Sequence, residues 1–293
     1  MQDKVQCRWA PSLGALEDTH QNVWGTVEYT DRNKPACFFG MYDLRDYISL
    51  WRHKGKKYVL WAGSDIRNLV NGFTFNDGKL KWLSLLVKKF PSSIQQMIAF
   101  KFVRMLREAE HWVENELEAK ELGKFDIECK VCPSYLGNIK LPVTYQWRKV
   151  MNVYVSSGKD RQEEYGFGVV ERIAKELPFV KFWLYGAPWK TEQPNVRVRC
   201  RVPKKKMNYE TSIMQVGLRL NEFDGFSEIT AKAILRGQYA ITKVPHPMIP
   251  TYQNDLELIL QLNKLRREQK PNLKVRDYYL QHLNEYPWVF QDN

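Results

Sequence analysis

Two short segments carry residue types and spacings suited to holding an anionic ligand. In the first, Leu218–Ile241 (LRLNEFDGFSEITAKAILRGQYAI), a strand-like run meets a turn at Asp224-Gly225-Phe226-Ser227, and a helical pattern follows at once. Glycine at such a turn admits close backbone approach, so N–H groups and the positive end of the helix face whatever lies before them. Asp224 adds a carboxylate able to accept hydrogen bonds from sugar hydroxyls. An ordinary strand-to-helix turn uses the same residues, with Asp or Ser as N-cap. Local chemistry leaves both readings standing.

The second segment is Val153–Gly168 (VYVSSGKDRQEEYGFG). Gly158, Lys159 and Arg161 follow a strand pattern there. Two cations beside glycine N–H groups would hold a phosphate-bearing anion. A solvated basic loop balanced by Asp160, Glu163 and Glu164 is the competing reading. The Gly-x-Gly at 166–168 is too short for a dinucleotide fingerprint.

Other chemistry-bearing patterns are sparser. Cys129-x-x-Cys132 has zinc-ligand spacing but no second pair to complete four ligands, and two half-buried thiols are expected instead. No Asp-x-Asp pair is present to hold a divalent ion against a diphosphate, so no metal and no cofactor is expected. His246, in Val-Pro-His-Pro, reads as a loop histidine. Residues 78–107 hold Lys79, Lys81, Lys88, Lys89, Lys101, Arg104 and Arg107 without one acid, interleaved with Trp82, Leu83, Leu85, Leu86 and Phe90. That mixture fits either an anionic membrane surface or a core-facing helix with a basic solvent face.

The chain that must position these residues has 293 of them, 44% hydrophobic and 27% charged, a balance that folds and excludes whole-chain disorder. The net charge is +12, shared evenly by residues 1–150 and 151–293 rather than gathered in a tail. Phosphate-bearing ligands, anionic lipid and nucleic acid all suit such a surface. No known nucleic-acid motif accompanies the charge, so nucleic acid is the weakest of the three. Five cysteines do not suggest a disulfide framework. With no signal-peptide pattern at MQDKVQCRWAPSLG, a cytoplasmic protein is expected, touching a membrane at most peripherally.

The second half alternates strand and helix patterns. Strands are expected at Val150–Val155, Phe179–Tyr185, Asn195–Arg199, Val216–Leu220 and Tyr239–Thr242. Helices are expected at Glu163–Leu177, around Met207–Met214, and at Ser227–Arg236 with Gly237 as stop. That order is the signature of a doubly wound parallel sheet. In the first half, Ala36–Gly40 and Tyr58–Ala62 read as strands around a helix at Asp43–His53. Apolar spacing from Ile94 through Trp112 and Val113 predicts one helix running to about Leu122, before a strand at Ile127–Val131. Further helices are expected near Asn254–Arg267 and Lys274–Tyr286.

The Asp224–Ile241 stretch resembles the donor-site motif of group 1 glycosyltransferases of the GT-B fold. In that motif an acidic residue, Gly-Phe-Gly and a second acidic residue eight positions on open a helix. Asp224 stands at the first acidic position, Gly225-Phe226-Ser227 at the Gly-rich step, and Ala233 and Gly237 also fit. At the second acidic position this chain has Lys232, which accepts no hydrogen bond. It would meet a diphosphate, pair with Glu228 one turn earlier, or turn to solvent. Lys159 and Arg161 match the family's diphosphate-binding pair, Trp183-Leu184-Tyr185-Gly186 its second strand, and Asn195–Pro203 (NVRVRCRVP) its third strand and nucleobase loop. Leu60–Asp65 (LWAGSD) is similar to a strand end facing the acceptor in some members.

The resemblance implies an α/β protein of two Rossmann-like domains facing across a cleft, the first short for the family. The expected divisions are an acceptor-side domain over 1–149, a donor domain over 150–270, and a closing helix in 271–293 that crosses back. It implies transfer of a sugar from a nucleotide-sugar donor to a hydroxyl of a saccharide or lipid-linked acceptor, with retention, without a metal and without a protein nucleophile. Asp224 and Asp65 are the implied catalytic and acceptor-side residues. Gly158, Lys159, Arg161, Gly225, Phe226, Ser227, Glu228 and Lys232 would surround the donor, with Arg201 and Val202 on the nucleobase side. A non-catalytic binder of nucleotide sugars or polysaccharide is the alternative, suggested by Lys232 and the short first domain.

Overall fold

A computed structural model describes residues 4–16, 23–70, 86–87, 89–158 and 160–289. The chain forms two compact units. One is Met1–Gly137 joined by Leu283–Asn293, and the other is Asn138–His282. Against the division drawn near Lys149, the chain divides at Gly137, and its last residues belong to the first unit.

The first unit carries a parallel sheet of β1 (Gln6–Trp9), β2 (Val27–Glu28), β3 (Ala36–Phe39), β4 (Lys57–Leu60), β5 (Ala109–Val113) and β6 (Cys129–Val131), in the order β2-β1-β3-β4-β5-β6. Helix α1 (Leu44–Arg52) begins where expected, because Asp43 caps it and Asp46 completes the capping box. Helices α2 (Ser64–Val70), α3 (Ser92–Val103) and α4 (Glu116–Gly123) also belong to this unit. Its core is aromatic, with Trp24, Phe39, Tyr58 and Trp288 buried together. Tyr286 and Trp288 stack at 4.6 Å and 7°. Asn284 binds both the N–H and the carbonyl of Tyr135, at 2.9 and 2.8 Å, and Tyr286 O–H donates to the Cys132 carbonyl at 2.7 Å. These contacts fasten the chain's end to this unit.

The single helix expected from Ile94 to Leu122 is corrected here. Helix α3 stops at Val103, Ala109–Val113 is strand β5, and α4 starts anew at Glu116 under an Asn115 cap. The period in β5 is two, not 3.6, with His111 and Val113 buried and their neighbours less so. Pairing with β4 and β6 on either side overrides the helical spacing. Among the described residues the sheet of the first unit has six strands and that of the second unit five.

The second unit follows the expected element order. Strands β7 (Met151–Ser156), β8 (Val180–Tyr185), β9 (Val196–Cys200), β10 (Val216–Arg219) and β11 (Tyr239–Thr242) are all parallel, in the order β11-β10-β7-β8-β9. The connecting helices are α5 (Phe167–Ala174), α6 (Lys204–Ser212) and α7 (Glu228–Leu235), followed by α8 (Asp255–Leu265) and α9 (Leu273–His282). Apolar side chains of β7, β8 and β10 pack against Phe167, Val170 and Ile173 of α5 and against Leu258 and Leu262 of α8.

Helix α5 is shorter than expected. Gly166, at φ +82, sets its start, and a Cβ there would lie 2.4 Å from Leu220 Cβ. Helix α6 starts earlier than expected, directly after Pro203, which suits a helix entrance because proline has no N–H to leave unpaired.

Candidate functional site

The strand order puts a topological switch point between β7 and β10. The chain builds outward through β8 and β9, then returns to the other side of β7. In open parallel sheets the crevice at the carboxyl ends beside such a point is the ligand-binding position. A cavity of about 1140 Å³ lies there, lined by Ser156–Gly158 after β7, Gly186 after β8, Arg201–Lys204 after β9, Arg219 at the end of β10, and the first turns of α7. The loops meet closely. Ser157 N–H donates to the Tyr185 carbonyl at 2.9 Å, and Gly186 N–H to the Cys200 carbonyl at 2.8 Å. Gly186 has φ +111, and a Cβ on it would stand 2.1 Å from the Ser157 carbonyl oxygen. Only glycine fits between these loops.

Six of the residues singled out from sequence line this cavity: Gly158, Arg201, Val202, Ser227, Glu228 and Lys232. Ser227 caps α7 by accepting from Thr230 N–H at 3.2 Å, so the N-cap reading is correct and the helix start also faces the cavity. Lys232 is only 13% exposed and donates to Glu228 and to Asn208 Oδ1, both at 2.5 Å. Burial lowers its pKa below the usual lysine value, while Glu228 acts against that shift. Burial acts to raise the Glu228 carboxyl, but hydrogen bonds and charge from Lys232 and Lys204 outweigh it and hold it low. Of the three fates open to Lys232, it takes the pair with Glu228 while remaining on the cavity wall.

The other expected residues do something else. Asp224 is held by Arg219 Nε at 2.5 Å, and it is Arg219 that reaches the cavity wall. Arg161 forms a bidentate pair with Glu164 and packs on the Tyr165 ring at 5.2 Å. Arg219 covers the same ring at 4.3 Å. Gly225 is buried, and Phe226 turns inward, stacked on Tyr279 at 4.9 Å with His246 edge-on at 5.1 Å. Its ring is therefore a core element rather than a donor contact. His246 is buried beside it, its Nδ1 without a partner, and burial pushes its imidazole down to about 4. Lys159 lies outside the described residues.

Asp65 belongs to the first unit and is wholly buried. Its carboxylate accepts from the N–H groups of Met41 at 2.8 Å, Ala62 at 3.0 Å and Ile66 at 2.9 Å. Burial raises its pKa to about 6 against those bonds. This arrangement knots the ends of β3 and β4 together and leaves no oxygen facing a ligand.

Tyr154, Tyr185, Asn208 and Thr211 also line the cavity, and sequence reasoning missed them. Gly186, directly after β8, was a signal for Tyr185 alone; Tyr154 within β7 and Asn208 and Thr211 on α6 carried none.

No family model matches the chain, and no curated protein sequence matches it. Solved structures do match. TarM of S. aureus, in a mutant form in complex with fondaparinux, α-GlcNAc-glycerol and UDP, aligns over 91% of this chain and 55% of its own, with a TM-score of 0.56 at 12% identity. The pneumococcal O-GlcNAc transferase GtfA, in complex with UDP and GlcNAc, aligns over 86% and 54%, with a TM-score of 0.51 at 14% identity. The lipopolysaccharide outer core galactosyltransferase WaaB, in its apo form, aligns over 96% and 95%, with a TM-score of 0.55 at 12% identity. The chain spans about half the length of TarM and GtfA. Its fold is that of the GT-B glycosyltransferases, with two Rossmann-like units.

Proposed function

We propose that the chain is a glycosyltransferase that binds a nucleotide-sugar donor in the cavity of its second unit and passes the sugar to an acceptor hydroxyl. The observation that carries this reading is the gathering of Gly158, Arg201, Val202, Ser227, Glu228 and Lys232 around one cavity at the switch point. The capped start of α7 and the cations Arg201, Lys204, Arg219 and Lys232 would take the charge of a departing nucleoside diphosphate without a metal. Asp224 would act by aiming Arg219, and Asp65 by fixing two loops of the first unit. Retention of configuration, with attack from the face the leaving group departs, is part of this proposal, as the resemblance of Asp224–Ile241 to the donor-site motif implies.

UDP stands in the TarM and GtfA structures, which makes UDP-sugars the first donors to try. The decisive experiment incubates the protein with mixed nucleotide sugars and follows nucleoside diphosphate release by mass spectrometry. Release that depends on Arg201 and Lys232 is the expected result. The bidentate pairing of Arg161 with Glu164 favours a second reading, a non-catalytic nucleotide-sugar binder. Saturable binding with no diphosphate released over many acceptors would select that reading.

A further inference from the structure

We propose that the first unit binds a short peptide by its two free ends, in a cavity lined wholly by residues of that unit. The cavity has a volume of about 720 Å³, within the usual range for a small-molecule site. Strands β5 and β6 begin on it, at Ala109 and Cys129. It therefore lies at the amino edge of the sheet, opposite the strand ends that Asp65 ties together. Its floor is apolar. Val103, Leu106, Phe125 and Ile127 are buried there, and Phe100, 45% exposed, leans on Phe125 at 5.4 Å and 59°.

Charges of both signs surround that floor, from two segments. After α3 the turns tighten, with Met105 N–H donating to the Phe102 carbonyl and Leu106 N–H to the Val103 carbonyl, both at 2.9 Å. Residues three apart stack in such turns, so Val103 and Leu106 go inward together while Arg104 and Arg107 stand exposed together. In the second segment, Asp126 and Glu128 flank the buried Ile127 and are exposed. Asp126 is fixed at φ 58 by its N–H bond to the Gly123 carbonyl at 3.1 Å, a conformation aspartate tolerates. All four charged residues line the cavity, yet none forms an ion pair with a described residue. A pair forms where N and O come within about 4 Å, so the cavity holds these guanidinium and carboxylate groups further apart than that.

The other titratable groups on the cavity are already engaged or neutral. Lys130 pairs with Glu110 at 2.7 Å. The buried His111 ring bonds to the Leu106 carbonyl at 3.1 Å and to Trp61 Nε1 at 3.3 Å, and burial keeps it neutral by pushing its pKa down to about 4. Burial pushes the Cys129 thiol up to about 12. What remains is a pair of cations, a pair of carboxylates and an apolar floor. An inorganic anion would leave the carboxylates unanswered, and an amine the arginines. A free amino acid carries its ammonium and carboxylate on one carbon, too close together to serve both groups. A di- or tripeptide separates its ends by about 3.3–3.6 Å per residue. Its carboxylate would meet the forks of Arg104 and Arg107 and its ammonium the acids Asp126 and Glu128, with its apolar side chains on Phe100 and Phe125.

The test is calorimetry on the full chain with the peptides Phe-Leu and Phe-Gly-Leu, their N-acetylated forms and their C-terminal amides. Saturable binding is expected for the free peptides, and each blocked end should weaken it about fivefold, the upper value for one exposed ion pair. Gly-Gly, which has no apolar body, should bind about tenfold more weakly or less. Arg104→Gln with Arg107→Gln should bind the free peptide and its amide alike while still rejecting the acetylated form. Asp126→Asn with Glu128→Gln should do the reverse. All four side chains are exposed, and asparagine keeps the left-handed conformation of Asp126, so a parent-like unfolding midpoint is expected and checks that each variant is folded. No saturation by either peptide at millimolar concentration, equal binding of free and blocked peptides, or parent-like selectivity in both folded double variants would overturn the proposal. So would inorganic phosphate binding as tightly as the peptides, because the cavity would then hold a plain anion.

Discussion

Replacing Lys232 by glutamate puts an acid where the motif that Asp224–Ile241 resembles has one, and sets two expectations against each other. In the parent protein the ammonium donates to Asn208 and Glu228 at 2.5 Å each. The Asn208 bond is the more sheltered one, and a hydrogen bond to a charged group contributes about 1.5–3 kcal/mol. The Glu228 pair is half-exposed and takes the i to i+4 helical spacing, so it is discounted to about 0.5 kcal/mol. Lys232→Glu loses both and places two carboxylates one turn apart, at a further cost of about 0.5 kcal/mol. The expected loss of unfolding stability is therefore about 2.5–4 kcal/mol. Lys232→Met keeps the stem and omits the like-charge cost, so it should lose somewhat less.

Ligand affinity separates position from stability. If the ammonium serves a diphosphate, calorimetric affinity for UDP should fall by about 10- to 150-fold in Lys232→Met, the equivalent of one charge-assisted hydrogen bond. It should fall further in Lys232→Glu, where an anion meets an anion. Should the new carboxylate instead grip ribose hydroxyls, Lys232→Glu would bind UDP better than Lys232→Met. Urea unfolding gives the first quantity and calorimetry the second. UDP affinity in both folded variants within a few tenths of a kcal/mol of the parent would refute the reasoning, because the Glu228–Lys232–Asn208 network would then be a prop outside the ligand's reach.

Four further outcomes are expected. Arg201→Ala should weaken UDP binding by about 1.5–3 kcal/mol, whereas Arg161→Ala, whose partner is Glu164, should cost less than half of that by calorimetry. Burial holds His246 at about 4 against an ordinary 6.5, so the unfolded chain binds a proton that the native state refuses between those values. Its share of stability is complete above 6.5 and is lost as pH falls toward 4, by up to about 1.4 kcal/mol per pH unit; in urea titrations across that window His246→Leu should remove one proton from the slope. Gly186→Ala forces a methyl to 2.1 Å from the Ser157 carbonyl at φ +111 and should cost more than about 2 kcal/mol, with an intact unfolding midpoint showing that the loops have room to part. Trp288→Ala, in the buried aromatic core of the first unit, should cost about 3–5 kcal/mol in a calorimetric scan, and a loss below 1 would mean the chain's end is not fastened there.

The second unit was legible because its strands are short runs, most of them apolar and β9 alternating valine with arginine, and local pattern alone shows such a βα order. The first unit was less so. The stretch from Glu108 to Glu121 is so rich in charge that its strand hides among helix-forming residues. Only pairing with Lys57–Leu60 and Cys129–Val131 decides the matter. The return of Asn284, Tyr286 and Trp288 to the first unit is a contact across some 150 residues, and no local signal announces it.

The candidate site divides differently. Six residues named from sequence line one cavity, because a parallel sheet gathers loop residues at its strand ends and those ends were legible. The role of each side chain was harder to read, and the reason differs by residue. Arg161 is taken by Glu164, Asp224 by Arg219 and Lys232 by Glu228, partners three to five positions away. Those pairings lay in the sequence, and weighing each charge singly concealed them. Phe226 is taken by Tyr279, 53 positions on, which no local reading finds. Once paired charges are set aside, Arg201 is the cavity cation with no carboxylate in ion-pair range among the described residues. It stands in the run Asn195–Pro203, where alternating valine and arginine already show a strand with one apolar face and one cationic face. The edge strand β9 ends at Cys200 and delivers Arg201 to the cavity. An anion in that cavity would therefore face Arg201 with no carboxylate beside it, and Lys232 as a cation already shared with Glu228.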